Sequence, residues 1–226
     1  MRLALLWTLG NLLVLSGAAI FFVVGQFDPR GIAGAATAAA FSRRGVTPTL
    51  FEAGADYGAG ASGSPRALLA PRLDRDELAP ARLYRAAYLE ALRAYEAADA
   101  LDPIGVEERP ADARDAGLLA DIAQDPPLDA DLLRAQGEGL LHRRAGLVSP
   151  RRAIAHFTKG AEKRAGVFII SIERGASGWR LISPDGAVAE ADIVVLCAGR
   201  QLGAFAQTRW LPLEYSRGQL DWGAGP

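Results

Sequence analysis

The chain has 226 residues, with 25 Lys+Arg against 26 Asp+Glu, a formal net charge of −1 and 50% apolar positions. That length supports one sizeable core, or one large and one small domain, and 23% charged residues amid abundant apolar ones exclude a disordered chain. The single cysteine, Cys197, excludes an internal disulfide framework and a multi-cysteine metal cage, and the near-neutral charge gives no global pull toward nucleic acid or membrane.

From Leu3 to Val24 no residue is charged. The stretch is long enough to cross a bilayer, and it also has the form of a signal peptide ending in small residues at Ser16-Gly17-Ala18-Ala19. A third reading divides it into an apolar leader, residues 1–19, and a buried parallel strand, Ile20–Val24, running into Gly25. The residues that follow favour the strand. A membrane anchor over residues 3–24 is the alternative.

After Gly25 come Gln26-Phe27-Asp28-Pro29-Arg30 and then Gly31-Ile32-Ala33-Gly34. Ile32–Arg44 is Ala-rich, carries Arg43 and Arg44 in its expected last turn, and stops at Gly45, which predicts a helix. Val46–Glu52 reads as a second strand ending in an acid, about 20 residues past Gly31, the offset at which a carboxylate meets ribose hydroxyls. Glycines let backbone approach a pyrophosphate, and a helix N-terminus offers free N–H groups to the anion. The usual fingerprint has one residue between its first two glycines. Here the turn is longer, with Arg30 placed to aid a phosphate and Asp28 to oppose it. The bland alternative is an Ala/Gly-rich helix packed on a sheet.

Pro80–Ala100 has helical periodicity, with Leu83, Ala87, Ala91 and Tyr95 beside Tyr84, Tyr88 and Leu92 on one broad apolar face. Core packing is the reading for the tyrosines, ahead of a base-stacking platform. Residues 96–138 are acidic and read as a solvated, loosely helical insert. The balance then reverses with Arg143, Arg144, Arg151, Arg152, Lys159, Lys163 and Arg164. On a shared face these form a phosphate-binding patch for a nucleic acid; otherwise they are the outer side of a helix, Pro150–Arg164. Neither His142 nor His156 has partners at a telling offset, so no triad and no metal site is assigned.

Val167–Glu173, Trp179–Ser183 and Ala187–Glu190 read as three short strands, with turns at Gly175–Gly178 and Ser183-Pro184-Asp185-Gly186. Asp192–Ala198 is a continuous apolar run, as a central parallel strand requires. Cys197 lies inside it and reads as inert core.

The order of Gly31-Ile32-Ala33-Gly34, Thr49-Leu50-Phe51-Glu52-Ala53, Gly58-Ala59-Gly60-Ala61-Ser62-Gly63-Ser64-Pro65 and Leu69-Ala70-Pro71-Arg72-Leu73-Asp74 resembles the D-amino-acid-oxidase superfamily of FAD-dependent oxidoreductases. Ala86–Leu92, Gly146-Leu147-Val148-Ser149-Pro150, Ala191–Gly199 and Leu211-Pro212-Leu213 through Arg217-Gly218-Gln219 extend the match over roughly residues 20–221. Within the superfamily the chain is most similar to the C-terminal oxidase part of the bifunctional tRNA 5-methylaminomethyl-2-thiouridine biosynthesis proteins.

The resemblance implies an α/β fold: a Rossmann-like FAD-binding domain with a parallel sheet, a β-meander and a helical insert. By position, residues 20–75 and 141–200 are its two parts, residues 76–140 the insert, and residues 201–226 the start of a substrate domain. The resemblance puts Gly31, Ile32, Ala33 and Gly34, with Gly25, at the FAD pyrophosphate and Glu52 at the adenosine ribose. Ser62 and Gly63 fall near the phosphates and ribityl chain, Ile170 near the adenine, and Ala198 and Gly199 at the strand end beside the dinucleotide. Arg66 and Arg72 are the candidate cations near the flavin or a substrate carboxylate.

Two departures from the family pattern accompany the long first turn. The chain is several residues short between Gly166 and Ser171, and it stops at Pro226 without the family's late flavin-binding segment.

The activity implied is oxidation of a C–N bond with FAD, in a cytoplasmic enzyme, removing the carboxymethyl group of a modified wobble uridine in tRNA. A small-amine or amino-acid oxidase is the second reading. A truncated chain that keeps the start of the fold without turnover is the third.

Overall fold

A computed structural model describes residues 21–25, 31–54 and 61–214. The first part of the chain forms β1 (Phe21–Gly25), α1 (Ile32–Ser42), β2 (Thr49–Glu52), β3 (Ala67–Leu69), α2 (Ala79–Ala97), β4 (Leu101–Asp102), β5 (Val106–Glu108) and α3 (Ala113–Gln124). Then follow β6 (Leu133–Gln136), β7 (Gly139–His142), β8 (Gly146–Val148), α4 (Pro150–Phe157), β9 (Glu162–Ala165), β10 (Ser171–Arg174), β11 (Trp179–Ser183), β12 (Gly186–Ala191) and β13 (Ile193–Leu196).

The fold is mixed α/β around a parallel sheet of order β13-β1-β2-β9. The end of the N-terminal apolar stretch is therefore a strand. Phe22 pairs with Val194 on one side and Thr49 on the other, which removes the bilayer reading for Phe21–Val24. Residues 1–20, the remainder of the leader and anchor readings, lie outside the described residues. Among the described residues no helix is long and apolar enough to cross a membrane.

Alternation along β2 sends successive side chains to opposite faces of the sheet. Leu50 meets Ala38 of α1, with Val195 and Cys197 packed around them. Phe51 points the other way, into the core formed with Ile169, Ile172, Leu181 and Phe205. That core lies beneath the antiparallel meander β10-β11-β12, whose turns fall at the two expected places. The alanines of α1 let helices approach closely: Ala35 packs with Ala153, Ile154 and Phe157 of α4 and with Ala98 and Ala100 past α2.

α1 ends as its sequence requires. Gly45 takes φ +78°, a left-handed conformation that costs a glycine little. The two cations expected in the last turn fall just beyond it. Arg43 is the C-cap, and Arg44 Nη1 reaches back to the Ala40 carbonyl at 2.8 Å.

Three expectations need correction. The segment 96–138 is not a loose helical insert. It contains α3, capped where the Asp112 carboxylate accepts the Asp115 N–H at 2.9 Å, and strands of the antiparallel sheets β3-β8-β4 and β5-β7-β6. These close on their own core of Tyr88, Leu92, Leu119, Ile122, Leu133 and Leu140.

The helix expected over Pro150–Arg164 stops at Phe157, and Glu162–Ala165 is β9. The free backbone edge of β2 offers these polar residues a ladder that helix propensity could not outweigh.

The apolar face of α2 is narrower than its periodicity suggests. Tyr88 and Leu92 are buried, whereas Leu83 and Tyr84 are exposed, and the Arg72 guanidinium lies 5.0 Å from the Tyr84 ring centre.

Candidate cofactor-binding site

Strand register brings the candidate residues to one edge of the parallel sheet. Gly25 stands beside Glu52, Glu52 beside Ala165, and Val24 beside Leu196, so the four strands end together. Ala198 and Gly199 follow one residue after β13, and Gly199 turns the chain at φ +51°. The C-terminal edge of an open parallel sheet is where such folds bind ligands, because the helix N-termini open there.

α1 begins at that edge. Gly31 is its N-cap, and the first helical bond runs from Ala35 N–H to the Gly31 carbonyl at 3.1 Å. The N–H groups of Ala33 and Gly34 thus precede the intrahelical ladder, and the first turn carries no acid to compete for them. Ala33 is exposed, and Gly31 and Gly34 are buried.

Ile32 N–H is held by Ser62 Oγ at 3.1 Å, a bond that reaches 30 residues along the chain. Ser62 and Gly63 sit in a short 3-10 turn, Ala61–Gly63. The sequence placed Ser62 near the phosphates; its capping of α1 was not legible, since nothing local marks a partner so far away. Replacing Ser62 by Ala removes this cap, with an expected loss of about 1 kcal/mol in a denaturant titration. An unchanged midpoint would show that the cap contributes nothing.

Glu52 is 2% exposed, and its carboxylate accepts the Gly54 N–H at 3.1 Å. The backbone just past β9 continues the contact: Val167 N–H donates to the Glu52 carbonyl at 2.8 Å and Gly166 N–H to the Gly54 carbonyl at 3.3 Å. Ile170, the residue expected near the adenine, lies three residues beyond Val167. Ile170 is 43% exposed and its N–H is committed to the Ile182 carbonyl at 2.8 Å.

Both candidate cations have carboxylate partners. Arg66 pairs with Asp102 at 2.8 Å beside the β3-β8-β4 sheet, and Arg72 lies 3.8 Å from Asp74. Arg30 and Asp28 fall outside the described residues.

The basic residues do not form one face. Arg144 pairs with Glu96, and Arg152 lies 3.7 Å from Asp99. Arg143 donates to the Ala130 carbonyl at 3.2 Å. Lys163 and Arg164 are consecutive on β9 and so point to opposite sides of the sheet, with Arg164 5.6 Å from the Phe51 ring centre. Arg151 and Lys159 are exposed near the two ends of α4. Among the described residues, no three His, Cys, Asp or Glu side chains gather as a metal site.

Cys197 lies behind the edge, its sulfur 3.9 Å from Thr37 Oγ1, and burial pushes its thiol pKa up. The folded pKa then exceeds the unfolded one, so the unfolded chain releases the proton first. Stability is full below the ordinary thiol value of about 8.5 and falls as pH rises through it. Between pH 7 and pH 10 the denaturant midpoint is expected to fall further for the wild type than for Cys197→Ala; equal losses would refute a thiol pKa raised by desolvation.

The family model for FAD-dependent oxidoreductases of the DAO type matches residues 30–220. The chain belongs to this family. Among curated relatives, the tRNA 5-methylaminomethyl-2-thiouridine biosynthesis bifunctional protein MnmC of Paracidovorax citrulli is 33% identical over 85% of this chain and 34% of its own length. That of Thiobacillus denitrificans is 32% identical over 84% of this chain and 34% of its own. This member of the FAD-dependent oxidoreductase family thus spans about a third of the curated relatives it matches.

Solved structures share the fold at lower identity. NikD, an unusual amino acid oxidase essential for nikkomycin biosynthesis, superposes with a TM-score of 0.61 at 20% identity, over 84% of this chain and 53% of its own. L-proline dehydrogenase from P. horikoshii gives 0.63 at 14% identity, over 87% and 57%.

FAD is the cofactor of the family, and the described residues fit it. A positive helix end without an acid in its first turn suits a pyrophosphate, and a buried carboxylate beside Gly25 suits ribose hydroxyls.

Proposed function

We propose that this chain carries the FAD-binding part of an oxidoreductase that oxidises a C–N bond, removing the carboxymethyl group of a modified wobble uridine in tRNA. The observation that carries the cofactor reading is the convergence at one sheet edge of Gly25, buried Glu52 and the N-terminus of α1. The tRNA substrate rests on the relatives' printed function, and a cytoplasmic location is part of the same reading.

In this reading the Ala33 and Gly34 N–H groups face the pyrophosphate, with Gly31 leaving room for it. Ser62 accepts from Ile32 N–H and turns its own O–H toward a phosphate oxygen. Glu52 accepts from the adenosine ribose, and Ala198 and Gly199 close the β13 end. A bound flavin would supply two-electron oxidation of the substrate C–N bond, giving a product open to hydrolysis by water. Arg151 and Lys159 are the exposed cations for tRNA phosphates, and Arg66 and Arg72 the candidates toward a substrate carboxylate. Residues 20–75 and 141–200 form the cofactor unit, residues 76–140 the insert, and residues 201–226 the start of the substrate unit.

A small-amine or amino-acid oxidase is the second reading, favoured by the fold neighbours, which include amino acid oxidases and glycine oxidase from Geobacillus kaustophilus. Purified chain incubated with FAD and then desalted is expected to hold flavin absorbance. A colourless sample would remove the cofactor reading. Binding of tRNA that weakens steeply with salt separates the two substrates, since each phosphate contact releases counterions; no such binding leaves the small amine.

A further inference from the structure

Thr37 is the one polar side chain of α1 between Ile32 and Phe41, in a run otherwise of alanine and glycine. Its Oγ1 donates to the Ala33 carbonyl at 2.8 Å, and the Cys197 sulfur lies 3.9 Å from the same Oγ1. A hydroxyl carries one proton. With that proton given to a carbonyl, which can only accept, the contact with sulfur runs from Cys197 S–H to Thr37 Oγ1. Burial raises the thiol pKa, so the S–H is present to donate.

This line of bonds ends on the peptide group that joins Ala33 to Gly34. Its C=O accepts from Thr37, and its N–H is the Gly34 donor at the open end of α1. The two belong to one planar, conjugated unit. Drawing electron density toward the Ala33 oxygen makes the Gly34 N–H a stronger donor, because successive hydrogen bonds polarise one another. All the bonds point one way: thiol to hydroxyl, hydroxyl to carbonyl, and amide outward to an anion at the helix end. Ser42, the other hydroxyl of α1, bonds the Gly160 carbonyl at 3.0 Å at the opposite end of the helix.

We infer that Thr37, backed by Cys197, is a positioning residue for the cofactor's pyrophosphate and acts through the Ala33–Gly34 peptide. This rests on the reading of the α1 N-terminus as the pyrophosphate site and adds to it a side chain one turn behind the phosphate. It also gives the Cys197 thiol a use beyond filling the core, since its proton orients the Thr37 hydroxyl.

The test compares wild-type chain with Thr37→Val, which keeps the shape and loses the hydroxyl, and Thr37→Ser, which keeps the hydroxyl. Each is titrated with FAD and ADP by calorimetry, melted without ligand, and followed at the Gly34 amide resonance. Thr37→Val is expected to weaken both ligands about threefold, the size of cooperativity at one charged hydrogen bond. Its Gly34 amide proton should move less on adding ADP than in wild type, and its melt should be unchanged. Thr37→Ser is expected to match wild type in both affinity and that shift. The single cysteine gives one S–H stretching band, expected at higher frequency in Thr37→Val, whose methyl cannot accept.

Wild-type affinity in Thr37→Val would overturn the relay while leaving the cofactor reading intact. So would Thr37→Ser binding as weakly as Thr37→Val, or a lowered Thr37→Val melt that accounts for the loss. An S–H band at the same frequency in both proteins would remove Cys197 from the relay. Wild-type chain that binds neither FAD nor ADP would overturn the cofactor reading itself, and the relay with it.

Discussion

Replacing Glu52 by Gln is expected to raise the dissociation constants of FAD and ADP roughly 10- to 150-fold while leaving the ligand-free chain folded. Charge-assisted hydrogen bonds from ribose hydroxyls to a carboxylate contribute about 1.5–3 kcal/mol, and the neutral amide loses most of that. Gln keeps the volume of a side chain that is only 2% exposed, and it keeps an oxygen for the Gly54 N–H now bonded at 3.1 Å. The fold therefore has no reason to fail. FMN, which lacks the adenosine ribose, serves as the internal control. Fluorescence titration with all three ligands reads the effect. Equal FAD affinity in the two proteins would show that Glu52 plays no part in holding the dinucleotide. Glu52→Ala is a poorer probe, since it also deletes the acceptor of the Gly54 N–H and opens a cavity.

The largest expected effect on stability comes from Gly146→Ala. An added Cβ would press against the Asp102 carbonyl oxygen, far inside van der Waals contact, and would lie 3.0 Å from both Asp102 C and Ile104 N. These are backbone atoms, and they cannot swing aside as a side chain would. Bonds on either side lock them in place: Gly105 N–H donates to the Ala145 carbonyl at 3.0 Å and Ser149 N–H to the Ala100 carbonyl at 2.8 Å. Relief requires β4 to separate from β8, which costs more than about 3 kcal/mol. Gly117, inside α3 with nothing within 4 Å of an added Cβ, supplies the contrast. Gly117→Ala is expected to stabilise the chain by about 0.5–1 kcal/mol through helix propensity. Urea midpoints of the two variants should move in opposite directions. A Gly146→Ala midpoint at the wild-type value would refute the close approach of the two strands.

That glycine also explains part of the Gly146-Leu147-Val148-Ser149-Pro150 segment in physical terms. Gly146 permits the strand contact, Ser149 is the N-cap of α4 and Pro150 opens the helix. The resemblance marked the segment, and the structure supplies its mechanics.

Elements whose signal is local were legible in the sequence. β1 and β13 announce themselves as continuous apolar runs, α1 as an alanine helix closed by a glycine, and the meander by its two turns. Elements that depend on a distant partner were not. Glu162-Lys163-Arg164-Ala165 has no strand pattern of its own and becomes β9 because β2 offers an open edge. Val106-Glu107-Glu108 becomes β5 through pairing with β7, whose Leu140 is fully buried, and its acids made the region read as solvated. The basic residues looked like one patch because sequence proximity hides direction. On β9 adjacent cations face apart, and near α2 two others meet Glu96 and Asp99.

From residue order alone came the strand, helix, strand and terminal acid of a dinucleotide-binding start, with Glu52 at the offset that ribose recognition needs. These follow from backbone preferences and apolar periodicity, which act within a few turns of chain. Only the tertiary structure decided that Ser62 caps Ile32 and that Val167 locks onto Glu52. Each of those contacts joins groups 30 or more residues apart. Their geometry is set by which backbone donors and acceptors packing leaves open, and no local window of sequence contains that information.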